Sequence, residues 1–411
     1  MSTAKKNQFH HYIPRFILRH FTEEPRKGEP LGTREPRGKG KPRRKGKHNE
    51  QTRRIKTYRV LDHSITPEDV GRIYGEHNMY KDIRLEDCME FEDRLSKMES
   101  SAATFIQTIM AGQDISLTRP KLEDFKKFLT IMMYRGESRR GQYVNDSFDL
   151  QTRMLIRNHM RINNITNLQD VWFKNLQWII KTPVDDIVEE ERSANIGMAE
   201  ALVARSVANL PMDSLSAGMR YEGPINILEL MEFAIMFTNF VCIWEAQEGS
   251  EFILADNSFG CYEKHDSVVV YNFFIISPEY AVVLVKRSCM IPPGAKRQKG
   301  SWSENIHANP EVVYANKNTR NMKTGMVNPE LFSPDDVFKY RRIVVPKQRV
   351  WFANSIFLDV KNKYISYKSD GAMYRTLKYY DRNKKELFDN RYDYSILKRK
   401  LFLEMNRTHS T

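Results

Sequence analysis

The sequence predicts an α+β fold, predominantly helical, with a small antiparallel sheet around residues 251–287. Three observations predict it. Cys88, Phe91, Leu95, Met98, Ala102, Phe105 and Ile109 recur at a 3–4–3–4 spacing, the seam of a long amphipathic helix over 85–111. "RPKLEDFKKFLTIMMYR" (119–135) repeats the pattern with Leu122, Phe125, Leu129 and Met132, so the two helices pair as an antiparallel hairpin within the chain. Beyond residue 246 the period changes to short β-branched and aromatic runs, "EFILADN", "SVVVYNFFII" and "EYAVVLVKR", the last two joined by a turn at Ser277–Pro278–Glu279.

The remaining elements follow in chain order. "HHYIPRFILRHF" opens a helix over 9–21, with Pro14 at its first position and Ile13, Phe16, Ile17 and His20 on one face. Residues 25–56, rich in Gly and Pro and without apolar period, read as a loop. "IKTYRVL" (55–61) is a candidate strand. "SITPEDVGRIYG" (64–75) has the signals of a capped helix, with Thr66 as N-cap, Pro67 next and Gly75 at the end. Residues 145–215 are helical in patches, and "INILELMEFAIMFTNFVCIWEA" (225–246) is a buried helix bending into a strand near Cys242. Residues 298–307 fall in an exposed loop. "SPDDVFKYRRIVV" (333–345) begins a further helix capped by Ser333, and "QRVWFANSIFLDVK" (348–361) is the last helix before a basic, aromatic tail.

Composition narrows the function classes. An apolar fraction of 41% supports a sizeable core. The apolar runs are too short to span a bilayer, and the four cysteines (Cys88, Cys242, Cys261, Cys289) form no CxxC pair. Both features point to an intracellular setting, cytoplasmic or nuclear, with no membrane partner. The net charge of +13 is concentrated. Residues 25–56 hold 13 Lys/Arg against Glu29, Glu35 and Glu50, so +10 lies there and +3 elsewhere. Arg37, Lys39, Lys41, Arg43, Arg44, Lys45 and Lys47 form its centre and are the candidate nucleic-acid-binding residues. No aromatic residue lies between Phe21 and Tyr58, so contact would be with phosphates and blind to sequence. "KPRRKGK" (41–47) reads equally as a nuclear-import address, and the stretch reads equally as a solvated loop with no partner. Phosphate-binding glycine loops, nucleophile elbows and dinucleotide fingerprints are absent from the sequence, which sets aside kinase, serine-hydrolase and Rossmann chemistry.

Several motifs together resemble the family called domain of unknown function 4238. The family opens on HHYxPxFxLRxF, matched by His10, His11, Tyr12, Pro14, Phe16, Leu18, Arg19 and Phe21. A helix of the form E…LS…E resembles Glu92, Leu95, Ser96 and Glu99, and an arginine ending the next helix resembles Arg135. A segment like FITSDNPV corresponds to "FILADNSF", with Asp256 and Asn257 matching and Ala255 and Ser258 departing. The ISP turn (Ile276, Ser277, Pro278) and a late Asn354 complete the set. The resemblance implies one domain over 9–370 with the basic insertion at 25–56, divisible into a helical part (60–245) and a sheet-containing part (246–370), and a C-terminal extension at 371–411. "RIYGEHNMYKD" (72–82) after the basic loop is similar to the fungal branch. The resemblance carries no activity.

The residues support two functions. Adjacent histidines can ligate a divalent metal, work as acid and base on a phosphoryl group, or cap and pack. Asp256 and Asn257 at a strand end can hold a magnesium ion or bond their own backbone in a turn. Glu92 and Glu99 lie on one edge of the 85–111 seam, within reach of Arg135 or Arg139 as an ion pair. The enzymatic reading is a metal-assisted phosphodiesterase or nuclease, using His10 or His11, Asp256 and Asn257, with Arg15 or Arg135 stabilising the anion and His11 with Asp256 as metal ligands. The alternative is a non-catalytic module that binds nucleic acid through the basic loop. Convergence of His11 and Asp256 in a concave pocket favours the first; separate bonding of each residue favours the second.

Overall fold

The computed structural model describes residues 8–22, 53–80, 85–112, 115–207, 221–265, 268–286, 289, 310–321 and 326–408. The basic centre Arg37–Lys47 and residues 298–307 lie outside the described residues. The helical hairpin forms as the spacing predicts: α2 runs Leu85–Met110 and α3 Arg119–Arg135, after a short opening helix α1, Arg15–Leu18. Phe91, Leu95, Ala102, Phe105 and Ile109 of α2 are buried, as are Leu122, Phe125, Leu129 and Met132 of α3, and the Phe105 and Phe125 rings meet edge to face at 4.6 Å. Four more helices, α4 (Glu137–Asn145), α5 (Leu150–Ile162), α6 (Leu168–Lys181) and α7 (Val184–Val207), continue the layer. Helix α8 (Ile227–Thr238) is capped by the Asn226 side chain and turns directly into strand β6 (Phe240–Ala246).

The fold is α+β, but the expectation of one small sheet is corrected. The strands form four sheets among the described residues. Two open the chain: β1 (Phe9–His11) pairs antiparallel with β4 (Gly75–His77). A second sheet joins β2 (Arg54–Arg59), β3 (Ile65–Asp69), β7 (Leu254–Ala255) and β14 (Tyr364–Ser366) in the order β3-β2-β14-β7. A third joins β5 (Ile115–Thr118) to β11 (Glu311–Val313) and β12 (Val337–Tyr340). The largest contains β8 (Phe259–His265), β9 (Val268–Ile275), β10 (Tyr280–Val285), β6 and β13 (Arg342–Val345). Here β13 runs parallel to β6, so even this sheet is mixed.

Three helix predictions give way to strands. Residues 9–11 are extended, because Gly75 admits the chain start: a Cβ there would stand 2.5 Å from the His10 carbonyl oxygen. Pro14 is consequently the N-cap of α1, which passes into a 3₁₀ turn over Arg19–Phe21. Thr66 and Pro67 belong to β3 and pair with Thr57 and Lys56. That strand lies at the sheet edge, where a proline is tolerated because the outer ladder is unpaired. Residues 337–345 are β12 and β13. Instead of a first-turn acid, Asp336 is a buried acceptor for the Arg119 guanidinium (2.7 Å) and the amides of Ser333 and Ala315. The end of the chain is ordered by α9 (Lys347–Leu358), α10 (Asp370–Leu387) and α11 (Ser395–Thr408), with Met373, Leu377, Tyr380, Leu397 and Leu401 buried. None of the described helices is long and apolar enough to cross a membrane.

Candidate functional site

The opening motif divides its side chains by strand alternation. His10 and His11, neighbours in β1, take different partners, His10 the Tyr80 ring and His11 the Val70 carbonyl, as the period of two requires. His11 meets the Val70 carbonyl oxygen through Nε2 at 3.0 Å. Burial holds its pKa down at about 4, against the opposing pull of the Val70 carbonyl, so the ring is neutral near pH 7.

Tyr12 docks the motif. Its hydroxyl donates to Asp256 Oδ1 at 2.6 Å, and Asp256 Oδ2 accepts the amides of Lys363 (2.5 Å) and Tyr364 (2.8 Å). Asp256 is 3% exposed, and burial raises its pKa to about 6 in spite of these three donors. The chain start therefore meets the end of β7, but Tyr12 fills the place anticipated for His11 or Arg15. Arg15 is exposed on α1. Asn257 donates from Nδ2 to the Lys361 carbonyl at 3.0 Å. The departures at Ala255 and Ser258 keep a closed turn: the Ser258 amide donates to Ala255 O at 3.0 Å and its hydroxyl accepts from the Ala255 amide at 2.6 Å. Asn354 braces the approach to β7, accepting from the Ile253 amide and donating to Glu251 O and Thr376 Oγ1.

His10 joins a second cluster. Arg135, 2% exposed at the end of α3, faces Glu92 at 3.5 Å and Glu99 at 3.9 Å, two turns apart on α2. Its guanidinium carbon lies 5.9 Å from the centre of the Tyr80 ring, and His10 packs edge to face on the same ring at 4.9 Å. Burial lowers the His10 pKa, with Glu92 opposing and Arg135 assisting. Burial raises that of Glu99 against the attraction of Arg135. Four buried polar atoms here, His10 Nδ1, Tyr80 OH, Glu92 Oε1 and Arg135 Nε, lack a well-directed hydrogen bond. A neutral imidazole beside a carboxylate can accept a proton, and the guanidinium holds the two carboxylates together.

Of the predicted catalytic residues, the structure thus brings together His10 and Arg135, and separately sets Asp256 against the motif through Tyr12. Sequence reasoning missed Tyr12 and Tyr80. For Tyr12 the available signal was its place in the HHYIPR motif; for Tyr80 there was none. Among the described residues no three His, Cys, Asp or Glu side chains gather as a metal site. Open clefts of about 500 Å³ beside Glu90, Asp93 and Lys97, and of about 710 Å³ beside Tyr143, Arg157 and Asn167, include neither cluster.

No curated protein and no solved structure matches this chain. A family model does, over residues 10–371, from the first motif histidine through the Asp256 hub to the start of α10. The chain belongs to the family described as protein of unknown function, DUF4238.

Proposed function

We propose that the chain is a nucleic-acid-binding module whose basic segment, residues 25–56, meets the phosphate backbone. One observation carries this reading: ten of the thirteen net positive charges lie in residues 25–56, and the residues that flank most of that stretch meet. Thr22, before it, pairs in an antiparallel bridge with Ile55, at its end. Arg37, Lys39, Lys41, Arg43, Arg44, Lys45 and Lys47 lie in the sequence between those two residues, and the rest of the chain carries a net charge of only +3. Arrayed Lys/Arg release counterions from phosphates, which makes such binding steeply salt-dependent.

The metal-assisted phosphodiesterase reading receives less support. His11, Asp256, Asn257 and Asn354 are each engaged separately: with Val70, with Tyr12 and two amides, with Lys361, and with the 251–253 backbone. A buried carboxylate with three donors has little capacity left for magnesium. The test is deletion of residues 26–50 in the full chain, with binding to duplex and single-stranded nucleic acid followed across salt. The wild type should bind at low salt with a linear fall of log K against log salt. The deletion should abolish most of that binding and leave thermal unfolding nearly unchanged. Undiminished binding by the deletion variant would refute the reading.

A further inference from the structure

The charge outside the basic segment is also localised. Residues 370–408 hold ten Lys/Arg against six Asp/Glu, +4, so with the +10 of residues 25–56 they exceed the whole net charge of +13. These residues build α10 and α11, and they carry what the basic segment lacks. Phe402 is 47% and Leu403 48% exposed on α11. The Phe402 ring lies 6.1 Å from that of Tyr374 on α10, and Lys378 Nζ stands 5.9 Å from the centre of the Tyr374 ring. Arg399 is exposed, and lies three and four residues before Phe402 and Leu403, hence beside both on the helix surface. An exposed Phe402 ring backed by the half-buried Tyr374 and flanked by cations supplies the elements of a base-stacking platform.

The helices that carry this surface also hold the end of the basic segment. Lys56, where the segment ends on β2, pairs with Asp370 of α10 at 2.7 Å and with Glu404 of α11 at 3.4 Å. Lys400 of α11 donates to the His63 carbonyl between β2 and β3 at 2.6 Å. The chain emerging from the segment is therefore fastened to the helix that displays Phe402. Arg53 and Arg54, both exposed, lead into that junction.

We propose that Tyr374, Lys378, Arg399, Phe402 and Leu403 form a binding surface for single-stranded nucleic acid, on the two helices to which Lys56 at the end of the basic segment is paired. Bases stack on Phe402 and Tyr374 while Lys378 and Arg399 meet the phosphates. This rests on the nucleic-acid reading above and adds strand selectivity to it. A duplex keeps its bases stacked on one another and can use only the cations, whereas a single strand can use both.

The test compares wild type, Phe402→Ala, Phe402→Trp and the deletion of residues 26–50 in the full chain, by fluorescence anisotropy with labelled single-stranded and duplex oligonucleotides at low salt. Phe402→Ala should weaken single-strand binding roughly 5- to 150-fold and change duplex binding less than about 2-fold. Phe402→Trp should retain single-strand binding, and the deletion should weaken both. Unchanged single-strand binding by Phe402→Ala, with the wild type still binding through the segment, overturns this proposal alone. Absence of binding by the wild type overturns the nucleic-acid reading and the proposal together. If Phe402→Ala instead loses binding to anionic lipid vesicles while holding the single strand, the face serves a membrane surface and the proposal fails.

Discussion

Replacing Tyr12 by phenylalanine removes one of three donors from a buried carboxylate and changes nothing else in volume. Asp256 is held by the Tyr12 hydroxyl at 2.6 Å and by two backbone amides, which the substitution leaves in place. Burial lifts the folded pKa from 3.8 to about 6. Between those values the folded chain holds a proton that the unfolded chain has released. Stability from this group is therefore greatest at acid pH and falls as pH rises from about 4 to about 6, by about 3 kcal/mol in all. The Tyr12 hydroxyl limits that loss by favouring the ionised form. Removing it from a charged acceptor should cost about 1.5–3 kcal/mol near pH 7.5, and from the neutral carboxyl about 0.5–1.5 kcal/mol near pH 4.5. Urea denaturation of wild type and Tyr12→Phe across that range measures the difference directly. A penalty that stays the same at both ends, or below about 0.5 kcal/mol throughout, would refute the assignment of Tyr12 as the donor that supports ionised Asp256.

Leu95→Ala in the α2 seam should cost about 2–5 kcal/mol in chemical denaturation, since Leu95 is 1% exposed. Arg135→Met should cost about 2 kcal/mol, less than for a fully buried pair because Glu92 and Glu99 are each about a third exposed, and Arg135→Lys should recover part of it. Gly75→Ala should loosen β1 from β4 at a cost of about 1–3 kcal/mol, seen as faster hydrogen exchange at the Asn78 amide, which donates to Gln8 O at 2.8 Å. The His11 imidazole should remain neutral down to about pH 5 in an NMR titration. Because its folded pKa lies below the unfolded one, the stability it supports is complete above about pH 6.5 and is lost as pH falls towards 4.

Elements whose apolar period is long were legible in the sequence. Helices α2 and α3 run through 26 and 17 residues, and their seams dictate both the elements and their pairing. Local start signals were less trustworthy. Thr66–Pro67 and Ser333–Pro334 look like helix caps, yet the backbone at the first pairs with the preceding strand β2, and that at the second is held by Asp336 and by Arg119, 214 residues earlier. The same limit governs the site. That the HHYIPR segment would dock on the strand ending at Asp256 followed from a polar cluster beside an apolar helix. Which side chain would reach the aspartate did not follow, because it depends on the strand at 9–11, and that strand exists only through its pairing with Gly75–His77. The meeting of His10 with Arg135 likewise needs Tyr80 between them, a contact no local pattern encodes.

The Asp256 hub also has a history within each molecule's synthesis. It joins Tyr12 to the amides of Lys363 and Tyr364, which are made roughly 350 residues later. At ribosomal speeds of roughly 5–20 residues per second, about 20–70 s separate the appearance of Tyr12 from that of its completed binding place. Through that interval the Tyr12 hydroxyl lacks the buried acceptor it has in the finished fold. Parallel pairing of β13 with β6 imposes a similar wait, leaving one side of β6 unpaired until residue 345 has been made. A nascent chain of this design is one that holding chaperones would meet early and release late, and its yield on rapid expression should depend on them more than its final stability suggests.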